Sequence, residues 1–295
     1  MAAAAERVQE LDGRFLAIAL VLQLAMLGFR ALAWRGVLAA AYPDTRIPVF
    51  SVGCAYAAGV ALNAYLPARG GEGAKVALAR AQIPGSSVAT VAASLSVVLA
   101  LDAVLGVSLI AALWGMGLVP ALPAVPSLGN LPLVVGIAAV SAIAAALAAL
   151  RFAGALRRVL TSAARGLAIL RTPWVYASTV LPFQLLAWGC RIGVVYLVLH
   201  AFRIDADLTS AALVVVLGGV STAIPVPGGA GSQQVLAVYA LQGVISTAGA
   251  VSFSLGMQAG VTVVNTLVGM TAVMLLFRTL RPIAAMRTAT ARSAR

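Results

Sequence analysis

Apolar positions in this chain come in long runs. Windows of about 20 residues, enough for a helix to cross ~30 Å of hydrocarbon, select Phe15–Ala33, Ile47–Leu66, Val88–Met116, Leu131–Leu150, Trp174–His200, Leu208–Ile224, Ser232–Ser246 and Ala250–Phe277. These segments are unequal. Those ending at Leu66 and Ile224 stop at clusters of proline and glycine, and each cluster is followed by a short apolar piece, Ala74–Ile83 or Ser232–Ser246. About 10 to 15 helical residues cover only ~15–22 Å, so the pattern predicts two hairpins that enter the membrane and turn back. Eight full crossings are the alternative.

The two clusters share their punctuation. Asn63-Ala-Tyr-Leu-Pro67-Ala-Arg69-Gly70-Gly71-Glu72-Gly73 and Ser221-Thr-Ala-Ile-Pro225-Val-Pro227-Gly228-Gly229-Ala230-Gly231 both contain P-x-x-G-G-x-G. Such residues break helices, and a freed backbone group in hydrocarbon is costly unless it lines a cavity or packs against protein. Matching breaks in two halves of a membrane protein point to a transport site. The expected fold is an all-α polytopic membrane protein with about 6–8 transmembrane elements, including two Pro/Gly-broken re-entrant hairpins in an inverted repeat.

Composition removes the soluble alternatives. Apolar residues make up 62% of the chain and charged residues 9%, with a mean hydropathy of +1.03, and the stretch Arg151–Pro173 is too short for a core of its own. The whole chain, 1–295, therefore reads as one membrane domain. Residues 10–120 form the first repeat, 130–150 a linking helix, 174–278 the second repeat and 279–295 a basic tail.

Charge then sets orientation. Arg151, Arg157, Arg158, Arg165 and Arg171 share one loop without an acid, and Arg278, Arg281, Arg287, Arg292 and Arg295 share the tail. The positive-inside rule places both, and hence the C-terminus, in the cytoplasm of a cell whose inner membrane holds the protein. Gly117–Gly129 and Phe202–Asp207 fall outside. The N-terminal side stays open, because Arg7 and Arg14 face Glu6, Glu10 and Asp12. An inverted repeat would put Arg35, Arg46, Arg69, Lys75 and Arg80 in the cytoplasm together. Ala31-Leu-Ala33 resembles a leader cleavage site, but the acidic flank and Arg30 argue for a retained span. The net charge of +12 is explained by arginines that flank spans and meet anionic inner-leaflet lipids, so nucleic acid is not an expected partner.

Catalytic inventories are short. A single histidine, His200, ends a span, and Cys54 and Cys190 sit within apolar runs. No metal site, cofactor, phosphate loop or nucleophile elbow is expected. The remaining chemistry lies in intramembrane polar groups. Arg69, Glu72 and Lys75 are spaced three apart at the first break, sharing one face of a helix that starts near Gly71. Free amides at a helix start attract phosphate or carboxylate, and Arg can grip such a group with two prongs. A solvated loop with an ordinary Arg–Glu contact is the plainer reading. The second break offers Pro225, Pro227, Gly228, Gly229, Gly231, Gln233 and Gln234, with no charge; close helix packing is its plainer reading. Two further charges lie deep. Asp102 is about 14 residues into its span and Arg191 about 17 into its own, ~21 and ~25 Å, so each is the expected partner of the other. They form a gate or proton-linked pair, or a structural tie. Glu72 and Asp102 are the proton-coupling candidates among the acids.

At these residues the chain resembles a known family. Asn63-x-x-x-Pro67-x-Arg69-x-Gly71-Glu72, then Lys75, an Asp on the next span, and Ile224-Pro225-x-Pro227-Gly228-Gly229-x-Gly231 are similar to the flippase-like domain family. This is the transmembrane region related to bacterial lysylphosphatidylglycerol synthases and multiple peptide resistance factors, and the resemblance covers roughly residues 10–280. It implies movement of a phospholipid or polyprenyl-linked lipid between leaflets. Members that also synthesise the aminoacylated lipid carry a soluble transferase domain, which this sequence does not contain, so synthesis is not expected. Two positions depart from the family pattern: Gln234 stands where an acid is frequent, and Leu99 where an Arg is.

The expected function is thus a lipid translocase and not an enzyme. Its substrate would be an anionic phospholipid or a polyprenyl-phosphate-linked lipid, held by Arg69 and Lys75, with Glu72 orienting Arg69 or carrying a proton. A small-solute or ion transporter, and an enzyme or accessory subunit of lipid-linked intermediate metabolism, are the competing readings. Homo-oligomerisation is left open.

Overall fold

The computed structural model describes residues 12–66, 70–119, 169, 172–221 and 231–277. Among them are nine helices and no strand. They are α1 (Gly13–Ala41), α2 (Val49–Asn63), α3 (Gly70–Gln82), α4 (Val88–Gly115), α5 (Pro173–Thr179), α6 (Leu181–Ala201), α7 (Leu208–Ser221), α8 (Ser232–Ala240) and α9 (Thr247–Phe277). The expected segment Leu131–Leu150 and the two arginine clusters of the loop and the tail lie outside the described residues.

Among the described residues, four stretches are long and apolar enough to cross a membrane: Gly13–Ala41, Val88–Gly115, Trp174–Ala201 and Thr247–Phe277. The protein is an all-helical, multi-pass membrane protein. Its outer surface fits that solvent. Val21, Val107, Val263 and Leu267 are exposed along the long helices, and Trp114 and Trp174 stand 73% and 84% exposed at helix ends, where amphipathic indoles meet the headgroup layer.

Local chemistry explains the element ends. Asp12 caps α1 by accepting from the Arg14 amide at 2.9 Å, and Ser87 caps α4 by accepting from the Thr90 amide at 3.1 Å. Asp207 does the same for α7 through the Ser210 amide at 2.8 Å, and that bonding with Ser210 holds its carboxyl below the ordinary range. Proline lacks an amide donor, and Pro182 follows the kink at Val180 that separates α5 from α6. Gly243, with φ of +84°, turns the chain after α8.

Two boundaries differ from expectation. α1 runs on from Ala33 to Ala41, where Arg35, which looked like a flanking charge, is satisfied by the Ile47 carbonyl at 2.9 Å. α8 ends at Ala240, six residues before the expected Ser246. α3 begins at Gly70, within one residue of the expected start near Gly71, so Gly70, Gly71 and Gly73 form its first turn.

Side-chain contacts fix how the helices run. Along α1 and α4, Arg30 meets Asp102, Trp34 meets Ser94 at 3.0 Å, and the Tyr42 hydroxyl accepts from the Ser87 amide at 3.1 Å. Ascending numbers on one helix meet descending numbers on the other, so the two are antiparallel. The end of α1 therefore lies level with the start of α4, and α2 and α3 leave and return at one end of the bundle. At the other end, the Asp12 amide donates to the Ala201 carbonyl at 3.2 Å, which sets the start of α1 level with the end of α6. Phe202, just after α6, packs edge-on against Phe253 of α9 with ring centroids 5.7 Å apart. α7 and α8 thus leave and return at that second end.

The core sits where these helices cross. Trp34, Val37 and Leu38 of α1 are wholly buried and share a cluster with Tyr56, Leu78 and Val91. A second cluster joins α6, α7, α8 and the start of α9 around Leu199, Leu241 and Phe253. α1 packs most extensively on α6, and α9 on α2. Between apolar helices in lipid, close packing and interhelical hydrogen bonds replace the hydrophobic effect as the source of association.

Candidate functional site

α2 and α3 approach so closely that only glycine fits at their crossing. A Cβ on Gly71 would run into the Gly59 carbonyl and Asn63, and one on Gly59 would strike the stem of Lys75. This is the packing role of glycine in membrane helices. It lays Lys75 across α2, where the residue is 2% exposed.

Burying an ammonium ion is tolerated only with a partner. Lys75 Nζ lies 3.0 Å from both Oε1 and Oε2 of Glu72, one turn earlier on α3, and 4.1 Å above the ring of Tyr56. Glu72 also accepts from Asn63 Nδ2, at the end of α2, at 2.9 Å. A carboxylate in the first turn of a helix is favoured by the dipole. Asn63 Oδ1 is buried with no hydrogen-bond partner.

A second ion pair lies beyond Tyr56. Arg30 Nη1 is 2.9 Å from Asp102 Oδ2, and its Nη2 donates to Oδ1 at 3.2 Å. Gln184 Nε2 and Trp188 Nε1 of α6 donate to the same Oδ1 at 3.2 and 3.0 Å. Tyr56 interacts with the Arg30 guanidinium as well as with Lys75, so one buried tyrosine stands between both pairs. Arg30 Nε and Gln184 Oε1 are buried without partners.

The sequence matched Asp102 with Arg191, and the structure corrects this. The ion-pair partner of Asp102 is Arg30, carried to mid-helix by the extension of α1 to Ala41. The indole of Trp188 takes the position facing Asp102, and the Arg191 guanidinium lies over that indole, 5.6 Å from its centroid.

A third set of polar groups follows α9. Gln258, Asn265 and Thr266 are bonded respectively to Gln234 of α8 at 2.9 Å, Gln23 of α1 at 3.0 Å and Tyr65, after α2, at 2.8 Å. Eight residues of helix span ~12 Å, so this seam links the segment following one break to the segment preceding the other. Gln234 also caps α8, its Oε1 accepting from the Gly231 amide at 2.6 Å, with Gly231 at φ of +83°.

Of the expected site residues, Asn63, Gly70, Gly71, Glu72 and Lys75 come together in one cluster. Gly231, Gln233 and Gln234 lie at the start of α8, where Gln233 borders a small cavity with Phe253 and Ser254. Pro67, Arg69, Pro225, Pro227, Gly228 and Gly229 lie outside the described residues. Sequence reasoning missed Arg30 as a partner, and Tyr56, Gln184, Trp188, Gln23, Gln258 and Asn265 altogether. Carboxamides inside apolar windows were the available signal. No group of three or more potential metal ligands occurs among the described residues.

The profile of the family described as Lysylphosphatidylglycerol synthase TM region matches residues 1–269 of the chain. No curated protein and no solved structure matches it.

Proposed function

Because the chain belongs to the lysylphosphatidylglycerol synthase transmembrane-region family, we propose that it moves a lipid with an anionic head-group, a phospholipid or a polyprenyl-phosphate-linked lipid, between the leaflets of the cytoplasmic membrane. The observation that carries this reading is the Glu72–Lys75–Asn63 cluster, a buried charge pair at a helix start inside a membrane bundle. In hydrocarbon such groups are costly and cluster along substrate and ion pathways.

The paths of α2–α3 and α7–α8 support two re-entrant hairpins in an inverted repeat. Each pair returns to the end it left, and the two ends are opposite. At 1.5 Å per residue, α2 and α3 reach ~22 and ~20 Å, and α7 and α8 ~21 and ~14 Å, short of a ~30 Å core. An apolar groove of 370 Å³ between α2 and α9, walled by Gly53, Ala57, Leu267 and Ala272, opens outward toward lipid. That favours a lipid over a small solute.

In this reading Arg69, next to the start of α3 in sequence, meets the head-group. Lys75 is reached only by exchange: an arriving phosphate takes the place of Glu72, and the displaced carboxylate takes up a proton as it loses Lys75. Translocation would thereby couple to protons, with no chemical change to the lipid.

Reconstituted vesicles test this. A hydrogen bond to a charged group is worth ~1.5–3 kcal/mol, or about 10-fold or more. Arg69→Ala should lower transport of an anionic lipid by that factor, and Arg69→Lys should restore it in part because the two-pronged grip is lost. Glu72→Gln should abolish the response to a pH gradient if the exchange operates, and reduce transport equally at every pH if Glu72 only positions its neighbours. Unchanged transport in both Arg69→Ala and Glu72→Gln would overturn the site.

A further inference from the structure

The α2–α3 hairpin and the long helices each carry one buried ion pair, Glu72 with Lys75 on α3 and Asp102 of α4 with Arg30 of α1. Both cations meet Tyr56 of α2, which is 3% exposed. Lys75 Nζ lies 4.1 Å above its ring, and the stem of the same lysine crosses Gly59, one turn on in α2. Tyr56 also meets α1 at two successive turns: it interacts with the Arg30 guanidinium, and its ring centroid is 6.3 Å from that of Trp34. Arg30 in turn grips both oxygens of Asp102, to which Gln184 and Trp188 of α6 also donate. A continuous line of contacts thus runs from Glu72 through Lys75, Tyr56 and Arg30 to Asp102, joining α3 and α2 to α1, α4 and α6.

We propose that Tyr56 is a positioning residue that couples the two pairs, so that whatever draws Glu72 away from Lys75 loosens the Arg30–Asp102 tie between α1, α4 and α6. Two cations on one buried tyrosine are tolerated while each keeps its carboxylate, because repulsion between like charges is poorly screened in low dielectric. Glu72 attracts Arg30 as well as Lys75, so its charge steadies both. Once Lys75 loses Glu72, an uncompensated ammonium stands over the ring whose hydroxyl meets Arg30. Arg30 has no second anchor through Nε, which is buried without a partner. The two contacts of Tyr56 can be separated by substitution. Phe keeps the face under Lys75 and the packing on Trp34, and removes only the hydroxyl. The inference concerns the Glu72–Lys75 site but does not rest on lipid movement, since the coupling belongs to the folded bundle. For transport it would make the hairpin and the long helices answer to one exchange event.

Hydrogen-exchange mass spectrometry of the full chain in detergent tests the coupling. Glu72→Gln should speed amide exchange around Arg30 in α1 and Asp102 in α4 as well as in α2 and α3, by about 2-fold or more, the lower edge of couplings within one ion-pair network. α8 should not change. In a Tyr56→Phe background the same substitution should still loosen α2 and α3, while its added effect at Arg30 and Asp102 largely disappears. Should Glu72→Gln not fold, Asn63→Ala, which takes one donor from the Glu72 carboxylate, is read in the same way. A response confined to α2 and α3, or spread equally to α8, overturns the coupling. A response that reaches Arg30 and Asp102 equally with and without the hydroxyl overturns the role of Tyr56. In vesicles where the parent moves lipid, Tyr56→Phe should lower the maximal rate and leave the half-saturating lipid concentration unchanged; a change in half-saturation alone would place Tyr56 against the head-group and overturn it as a positioning residue. Failure of the parent to move any lipid would overturn the translocase reading and leave the exchange result to decide the coupling.

Discussion

Asp102 gathers donors from two other helices, Arg30 on α1 and Gln184 and Trp188 on α6. The two side chains are 15% and 16% exposed, so removing one member strands a largely buried charge at a cost of up to ~3–5 kcal/mol, whereas replacing both with apolar groups of similar size is often neutral. Asp102→Asn and Arg30→Met should therefore each lower the melting temperature of the detergent-purified protein sharply, and Arg30→Met with Asp102→Leu should recover most of the loss. Arg191→Met should add its own effect to that of Asp102→Asn without coupling, since an indole stands between them. Strong coupling of Arg191 rather than Arg30 to Asp102 would reverse the assignment. The sequence showed that Asp102 lies deep and needs a partner. It did not show which one, because Arg30 looked like the edge of a span until Arg35 found the Ile47 carbonyl and α1 continued past it. Tyr56 was illegible for another reason: its two charged neighbours come from α1 and α3, and nothing local marks it.

The elements around the first break owe their geometry to two glycines that face each other. Gly71→Ala should destabilise by ~1–3 kcal/mol through overpacking, since its Cβ would meet Gly59 and Asn63. Gly73 provides the internal control. It lies two residues on in the same helix with nothing within 4 Å of a built Cβ, so Gly73→Ala should stabilise by up to ~1 kcal/mol through helix propensity alone. Thermal melts of the two variants should shift in opposite directions; shifts of the same sign would mean that α2 and α3 do not cross at Gly59 and Gly71. The P-x-x-G-G-x-G spacing was legible as a break, and a helix start near Gly71 was foreseen. Close packing was the plainer reading of the other Gly-Gly, and at the first break it governs the glycines. Sequence spacing shows that glycine is required, not whether the requirement comes from a turn or from a neighbouring backbone.

Over the whole molecule, hydropathy found the four long spans among the described residues, but two hairpins and eight crossings could not be separated by length alone. The contacts that set helix ends level with one another are made by Tyr42 with Ser87 and by Asp12 with Ala201, and such pairings have no local signature. They make a topological prediction. Asp44 and Pro84 flank α2–α3, Asp205 and Gln242 flank α7–α8, and all four are exposed. In a Cys54→Ser, Cys190→Ser background, single cysteines at Asp44 and Pro84 should react with a membrane-impermeant thiol reagent from the cytoplasmic face, and those at Asp205 and Gln242 from the outer face. Asp44 decides between the arrangements. With eight crossings α2 becomes a full span, and position 44 moves outside to join 205 and 242 while 84 stays inside. The positive-inside rule adds weight to the first outcome, because Arg35, Arg46 and Arg80 stand around the ends that Asp44 and Pro84 mark. Outer labelling of position 44 would overturn the inverted hairpins proposed for the two breaks.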